Sequence, residues 1–187
     1  GTFHGICGRM LRENIEKYNF QSGKKLDKNF SIYDETDSNA VIKQAIKKLN
    51  LDDKVYAPKL VKTVISNAKN KMQDAYTFAT FARDFKSQKI ASIYEEYENM
   101  LNNNNAIDFD DMLMLTVKLL EQCKEVRQLY YDRFQHIMVD EFQDTNMAQY
   151  KLINMLYSNL EPEIPDERSL CVVGDVDQSI YSWRGAD

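Results

Sequence analysis

The chain has 187 residues, of which 43% are hydrophobic and 28% charged. That size suits one or two domains, and that composition excludes a disordered or low-complexity protein. No segment approaches the roughly 18 consecutive apolar residues of a membrane span, and the N-terminus shows no secretory signal. We therefore expect no membrane partner. The cysteines Cys7, Cys123 and Cys171 are odd in number and widely spaced, which favours a reducing compartment over a disulfide framework.

The net charge of −5 averages regions of opposite sign. Residues 1–40 are neutral, residues 41–90 carry +7 and residues 91–187 carry −12. The sum would count against nucleic-acid binding, but the basic block could contact phosphates. A solvated, lysine-rich helix face is the alternative interpretation of this block.

The first part of the chain predicts helices separated by a connection. Apolar residues at helical spacing predict a helix over residues 9–18, and residues 21–33 are interpreted as a connection. The next helix is expected to begin with an N-cap at Thr36 or Asp37.

The middle of the chain predicts further helices. One follows Pro58, and a longer one runs through an apolar stripe that ends in Leu101. Residues 35–105 show no strand pattern, so they predict a helical unit that closes with a loop at residues 102–105.

The last part of the chain alternates helices with short apolar runs. An apolar helical run is expected to follow residues 108–111 and to extend to about Leu120, and a second helix is expected over residues 125–134. The runs at residues 136–139 and 170–173 have strand length, lead directly into acidic residues and are separated by a helix over residues 147–156. Strand, helix, strand in this order predicts a parallel sheet with functional residues at the C-terminal ends of its strands.

The first of these strands delivers Asp140 and Glu141 to the edge of the sheet. Mg²⁺ prefers hard oxygen ligands, and a neighbouring glutamate can activate an attacking water. A bare Asp-Glu pair is more often a solvated acidic turn. Its continuation as Phe-Gln-Asp-Thr-Asn over residues 142–146 shifts the interpretation toward phosphate chemistry.

The second strand leads into a glycine turn and then into Gln178, Tyr181, Trp183 and Arg184. Aromatic rings and a guanidinium can stack on bases and contact phosphates. The alternative places the two aromatic side chains in the core and the arginine on an ordinary surface.

Residues 140–146 and 174–186 resemble motifs II and III of the UvrD/Rep-type superfamily 1A DNA helicases. Residues 2–4, Thr-Phe-His, resemble a single-strand contact of that family, and residues 107–113 resemble its Asp-Phe-Asp-Asp segment. All four segments occur in the family's order along nearly the whole chain, which makes chance an inadequate explanation.

The resemblance implies an α/β fold. It would be a partial P-loop NTPase (RecA-like) parallel sheet of subdomain 1A with a mostly α-helical inserted subdomain 1B. Residues 1–19 would belong to subdomain 1A, residues 20–105 to subdomain 1B, and residues 106–187 to the remainder of subdomain 1A.

The resemblance also implies roles for single residues. Asp140 would bind Mg²⁺ with ATP, Glu141 would activate the water, and Gln178 would contact the γ-phosphate and couple it to DNA. Single-stranded DNA would be contacted by Thr2, His4, Phe109, Tyr181, Trp183 and Arg184. Without the resemblance, Phe109 would be interpreted as a hydrophobic staple of the helix that follows it.

The sequence contains no G-x-x-x-x-G-K-[ST] phosphate loop, and the resemblance places a second motor domain beyond Asp187. We therefore expect a fragment of an ATP-dependent 3′→5′ DNA helicase that acts in DNA repair or replication and has no activity alone. Mg²⁺ and ATP would bind only the intact protein.

The expected partners are single-stranded DNA, single-strand/duplex junctions, ATP and repair or replication proteins, in the cytoplasm if the source is bacterial. Two alternatives stay open. One is a non-catalytic DNA- or protein-binding module derived from the helicase fold, and the other is the helicase part of a RecB/AddA-type helicase–nuclease.

Overall fold

The computed structural model describes residues 1–20, 23, 25–158 and 168–175. These residues form an α/β structure. In chain order, its elements are α1 (Phe3–Asn14), β1 (Ser31–Tyr33), α2 (Glu35–Lys48), α3 (Pro58–Asn70), α4 (Ala75–Phe81), α5 (Phe85–Asn103), β2 (Ala106–Asp108), α6 (Phe109–Gln122), α7 (Lys124–Arg133), β3 (His136–Val139), α8 (Met147–Tyr157) and β4 (Ser169–Val172). Short 3₁₀ turns cover Ile15–Lys17 and Phe142–Asp144. Within these ranges, no helix is long and apolar enough to cross a membrane.

The two strands predicted near the end of the chain form a parallel pair. β3 lies beside β4, with His136 opposite Ser169 and Val139 opposite Val172. The observed β4 begins and ends one residue earlier than the predicted strand. The helix between the two strands, α8, is also present, so the predicted strand–helix–strand unit is confirmed.

A second parallel pair corrects the interpretation of residues 21–33 as a connection. Ser31–Tyr33 forms β1, which pairs with β2 so that Ser31 faces Ala106 and Tyr33 faces Asp108. Three residues are too few to show the alternation that identifies a strand in a sequence. The partner strand also lies far away along the chain, so the pairing left no local signal.

The start of α2 corrects the predicted N-cap. Asp34, rather than Thr36 or Asp37, caps the helix, and its side chain accepts a hydrogen bond from the Asp37 backbone N–H over 2.8 Å. The Asp37 carboxylate reaches back to the Asp34 N–H over 3.4 Å. Because this capping box satisfies two free amides at once, the helix begins earlier than predicted.

Two hydrophobic cores meet at β2 and α6. The α6 core includes Cys7, Leu11, Ile107, Leu113, Leu120, Tyr130 and Leu152. The α5 core includes Ile42, Val61, Ile65, Ile93, Tyr94, Tyr97 and Ala106. The helical middle of the chain therefore has a core of its own, and the consecutive residues Ala106 and Ile107 belong to different cores.

Candidate functional site

β3 and β4 end side by side, which places Asp140 and Glu141 at the edge of their sheet. The Val173 N–H donates to the Val139 carbonyl over 2.8 Å, and the Phe142 N–H donates to the Val173 carbonyl over 2.9 Å. The parallel pairing thus continues past the ends of both strands. It holds the backbone on either side of the two carboxylates.

Glu141 has a strained backbone. Its φ of 52° and ψ of 41° lie in the left-handed region, where a residue with a Cβ is disfavoured. Its N–H donates to Oδ1 of Asp140 over 2.9 Å, and both residues are exposed to solvent. Strain of this kind tends to persist where a side chain must be held for function.

The turn after β4 packs tightly against the segment that follows Glu141. A Cβ on Gly174 would lie 2.7 Å from Oε1 of Gln143 and 3.2 Å from its backbone nitrogen. The same Oε1 accepts a hydrogen bond from the Asp175 N–H over 3.1 Å. The close approach of these two segments therefore favours glycine at position 174.

Asp140 and Glu141 have the donor chemistry that Mg²⁺ takes in the presence of phosphates. One or two accessible carboxylates are the usual protein share of such a site, and phosphate oxygens and waters supply the rest. Among the residues in the described ranges, no group of three or more His, Cys, Asp or Glu side chains converges as a metal site. The residues at the sheet edge thus fit Mg²⁺ held together with a phosphate ligand.

A cleft of about 830 Å³ lies where the N-termini of α1 and α6 meet α3 and the segment before α8. Its lining includes His4, Lys62, Asn70, Phe109, Asp110, Asp144, Asn146 and Gln149. The lining combines amides, charges and the three rings of His4, Tyr33 and Phe109. It thereby connects predicted DNA-contacting residues with the segment that follows Glu141.

The structure brings His4 and Phe109 together at this cleft. Their ring centroids are 5.2 Å apart with the planes tilted by 49°, and Phe109 remains 51% exposed. Phe109 is the first residue of α6, after the N-cap Asp108, so it does not occupy either position of a hydrophobic staple. The staple interpretation is therefore wrong, and an exposed ring is available at the cleft.

Thr2 lies beside this pair as the N-cap of α1. Its hydroxyl oxygen accepts a hydrogen bond from the Gly5 N–H over 3.1 Å, which leaves the hydroxyl proton free to donate. This cap starts α1 at Phe3, earlier than the predicted start. Burial lowers the pKa of His4, and the Asp110 carboxylate raises it by less, so the imidazole is neutral at neutral pH.

Four other predicted site residues, Gln178, Tyr181, Trp183 and Arg184, lie outside the described residues. The structure therefore gathers His4 and Phe109, places Thr2 close to them along α1, and sets Asp140 and Glu141 at the sheet edge.

Over residues 1–187, the chain matches the family described as the UvrD/REP helicase N-terminal domain. The chain belongs to this family. The protein named ATP-dependent DNA helicase PcrA from Staphylococcus aureus is 42% identical over 186 residues, which cover 100% of this chain and 24% of that relative. The PcrA protein of Staphylococcus epidermidis gives the same identity and coverage. The chain thus spans about a quarter of the length of these curated relatives.

This UvrD/REP N-terminal domain also contains a buried ionic cluster that the sequence analysis missed. The Lys69 cluster consists of Lys62, Lys69, Glu98, Asp108, Asp110 and Asp111. The Lys69 Nζ lies 3.0 Å from Oδ2 of Asp108, 2.7 Å from Oδ1 of Asp111 and 2.7 Å from Oε1 of Glu98. The Lys62 Nζ lies 3.1 Å from an oxygen of Asp108 and 3.1 Å from an oxygen of Asp110.

Electrostatic attraction between Lys69 and Asp108, the central pair of this cluster, keeps both side chains charged. Burial alone would lower the pKa of Lys69, but the carboxylates of Asp108, Asp111 and Glu98 raise it well above its usual range. Burial alone would raise the pKa of Asp108, but Lys69 and Lys62 lower it. Burial and the neighbouring carboxylates raise the pKa of Asp111 well above its usual range. Burial also raises the pKa of Glu98, and four carboxylates in this cluster share two ammonium groups.

A signal for Lys69 does exist in the sequence. It lies four residues after Ile65 and eight after Val61, on the buried stripe of α3. A lysine is almost never fully buried without a partner, so a lysine in that stripe predicts buried carboxylates nearby. Lys62 and Lys69 are both paired with carboxylates of the cluster, which reduces the charge that the basic block offers to DNA.

Proposed function

We propose that this chain is part of an ATP-dependent DNA helicase and supplies its magnesium–nucleotide carboxylates and one wall of its DNA path. The observation that carries this proposal is the exposed Asp140–Glu141 pair at the C-terminal end of β3. It occurs in a chain 42% identical to proteins named ATP-dependent DNA helicase PcrA. We extend the proposal to 3′→5′ movement, a role in DNA repair or replication, and a cytoplasmic location.

At the sheet edge, Asp140 would hold Mg²⁺ bound to ATP. When bound, that ion neutralises charge on the phosphates during transfer. Glu141 would orient and deprotonate the attacking water, and its strained backbone fits a carboxylate held for that purpose. Gln178, which follows β4 along the chain, would contact the γ-phosphate and couple it to DNA.

At the cleft, Phe109 would stack against a DNA base. Stacking on an aromatic ring tolerates any base sequence, as a translocating enzyme requires. The neutral His4 and the free hydroxyl proton of Thr2 would donate hydrogen bonds to the DNA backbone. Tyr181, Trp183 and Arg184 would extend the same binding surface.

We extend the proposal to the division into residues 1–19, 20–105 and 106–187. The two cores support a helical middle with its own core but not these exact bounds, because Leu26 and Phe30 belong to the α6 core and Ala106 belongs to the α5 core. The α5 core forms from the middle of the chain, as an inserted helical subdomain would, and the α6 core joins the segments on both sides. Lysines of the middle segment that lie outside the Lys69 cluster would contact the duplex at a single-strand junction through its phosphates.

A binding experiment on the chain itself tests the DNA proposal. Fluorescence anisotropy with a labelled oligo(dT) would compare the wild-type chain with Phe109→Ala and Phe85→Ala. Phe85 is a matched control because it is also the first residue of a helix after an aspartate cap and is 72% exposed, but it does not line the cleft. We expect F109A to lose about five- to a hundredfold in affinity and F85A to bind as the wild type does. Equal losses would contradict the proposed DNA contact.

A hydrolysis experiment tests the nucleotide proposal. The chain contains no phosphate loop, so we expect the 187 residues alone to show no DNA-stimulated ATP hydrolysis. In a longer protein that includes this chain, Glu141→Gln should abolish hydrolysis while ATP still binds. Unchanged hydrolysis in that variant would contradict the proposed role of Glu141. Absence of hydrolysis in the longer wild-type protein would favour the non-catalytic binding module, and a nuclease activity in the same protein would favour the helicase–nuclease.

A further inference from the structure

We propose that Lys69 is a positioning residue for Phe109. Through Asp108, its buried ammonium fixes the start of α6 and thereby the ring that faces the cleft. The functional part of this inference rests on the proposed contact between Phe109 and DNA.

Asp108 connects the cluster to the ring. It is the last residue of β2 and directly precedes Phe109. Its Oδ1 accepts the Asp111 N–H over 2.8 Å, which caps α6. Its Oδ2 accepts hydrogen bonds from the Lys62 Nζ at 3.1 Å, the Lys69 Nζ at 3.0 Å and the Tyr97 hydroxyl at 2.8 Å.

Every one of the Oδ2 partners comes from the helical middle of the chain. Lys62 and Lys69 lie on α3, and Tyr97 lies on α5. One fully buried carboxylate is therefore held by its own helix on one oxygen and by two other helices on the second. This arrangement leaves the backbone before Phe109 little freedom to rotate, because any rotation breaks several buried contacts together.

Stability alone does not account for such a cluster. Replacing a buried ion pair by well-packed apolar side chains is often neutral or stabilising, since desolvation offsets the attraction. Here the Lys69 and Asp108 side chains are both 0% exposed. Charge-assisted hydrogen bonds fix the orientation of the groups they join, and apolar contacts do not. A fixed orientation of Asp108 would fix the position of the ring at the first residue of α6.

The position of Phe109 can be observed without DNA. We would incorporate 4-fluorophenylalanine at position 109 alone and record its fluorine resonance in the wild-type chain, Lys69→Met and Asp108→Asn. Methionine keeps an apolar stem but no ammonium. Asparagine keeps an oxygen that can cap α6, while its NH2 group replaces the oxygen that accepts from Lys62, Lys69 and Tyr97. The same label at position 85 reports whether any change is local.

We expect both variants to shift or broaden the resonance at position 109 and to leave that at position 85 unchanged. The affinity for oligo(dT) should fall, but by a smaller factor than in Phe109→Ala measured alongside, because the ring is still present. Lys124→Met is the charge-matched control, because Lys124 is exposed on α7, lies outside the middle segment and has no ion pair among the described residues. It should change neither the resonance at position 109 nor the affinity for oligo(dT).

The outcomes separate this inference from the proposed function. If the resonance moves but the wild-type chain does not bind DNA, the positioning role holds and the DNA contact fails. If Asp108→Asn is folded and its resonance at position 109 matches the wild type, the positioning role is overturned, whatever DNA does. If Lys69→Met does not fold, the resonance at position 109 in Asp108→Asn and Tyr97→Phe tests the positioning role. Tyr97→Phe should shift that resonance in the same direction as Asp108→Asn but by less.

Discussion

The side-chain amide of Asn146 donates a hydrogen bond to Oδ1 of Asn70 over 2.9 Å. This bond joins the N-cap of α8 to the last residue of α3. Asn70 also donates to Oδ1 of Asp110 over 3.4 Å. The segment that follows Glu141 is thereby connected through α3 to the start of α6.

A double-mutant cycle between Asn70→Ala and Asn146→Ser should show coupling. Serine still caps α8, so the second variant removes mainly the bond between the two amides. We expect a coupling free energy of about 0.5–1.5 kcal/mol in urea unfolding. Asn67→Ala on the exposed surface of α3 is the control partner and should be additive with Asn146→Ser. Additivity of the test pair within about 0.3 kcal/mol would show that the bond contributes nothing.

Gly174→Ala should destabilise the chain by about 0.5–1.5 kcal/mol, because its Cβ would displace the Gln143 side chain from its hydrogen bond with the Asp175 N–H. Removing the nearest atom tests this cause. In a Gln143→Ala background the same substitution should cost less, although the backbone nitrogen 3.2 Å away keeps part of the penalty. Thermal unfolding of the four chains measures both costs, and an equal cost in the two backgrounds would contradict a steric origin.

Glycine should be more stable than alanine at position 141, by about 1 kcal/mol, because only glycine adopts the observed left-handed conformation without strain. Glu125, exposed in the first turn of α7, provides the opposite control. There Glu125→Gly should be less stable than Glu125→Ala by about 0.5–1 kcal/mol. Urea unfolding of all four variants gives the two differences, and the same sign at both positions would exclude stored strain at Glu141.

The contact between Asp74 and Lys118 should make stability depend on pH in the acid range. Burial alone would raise the pKa of Asp74, but hydrogen bonds from Lys118 and Thr77 outweigh it and lower the pKa. The folded state then binds fewer protons than the unfolded state. The contribution of this contact is therefore complete above the ordinary aspartate pKa of about 3.8 and is lost as the pH falls through the lowered value.

Lys118→Met should reduce stability by about 0.2–1 kcal/mol at pH 7. The difference from the wild type should shrink below about pH 4, and the pKa of Asp74 followed by NMR should rise. Lys151→Met is the control, since its nearest carboxylate, on Glu121, is 4.0 Å away and half exposed. A pH-independent effect of Lys118→Met would mean that the methylene stem, and not the charge, stabilises the contact.

The sequence predicted the elements whose signals are local. The apolar run at residues 136–139 ends in Asp140, so strand, edge and candidate carboxylates could all be identified together. The stripe through Val61 and Ile65 identified α3. In both cases, residues close together along the chain determine the structure.

Features that depend on distant partners could not be predicted in the same way. β1 and β2 have three residues each and pair with one another, although most of the helical middle separates them along the chain. α4 (Ala75–Phe81) has only seven residues, and its short apolar stripe, Ala75 and Phe78, is only partly buried against the α5 core. It begins at the Asp74 cap, whose carboxylate also contacts Lys118. The pairing of His4 with Phe109 likewise exists only after α1 and α6 pack.

The division of β2 between two cores has a consequence for how the chain unfolds. Ala106 belongs to the α5 core and the adjacent Ile107 to the α6 core. If the backbone at Ala106 unfolds, the packing of Ile107 is therefore disturbed as well. The helical middle and the flanking segments should therefore lose their structure in a single cooperative transition. Calorimetric and van't Hoff enthalpies would then agree, although the chain contains two cores.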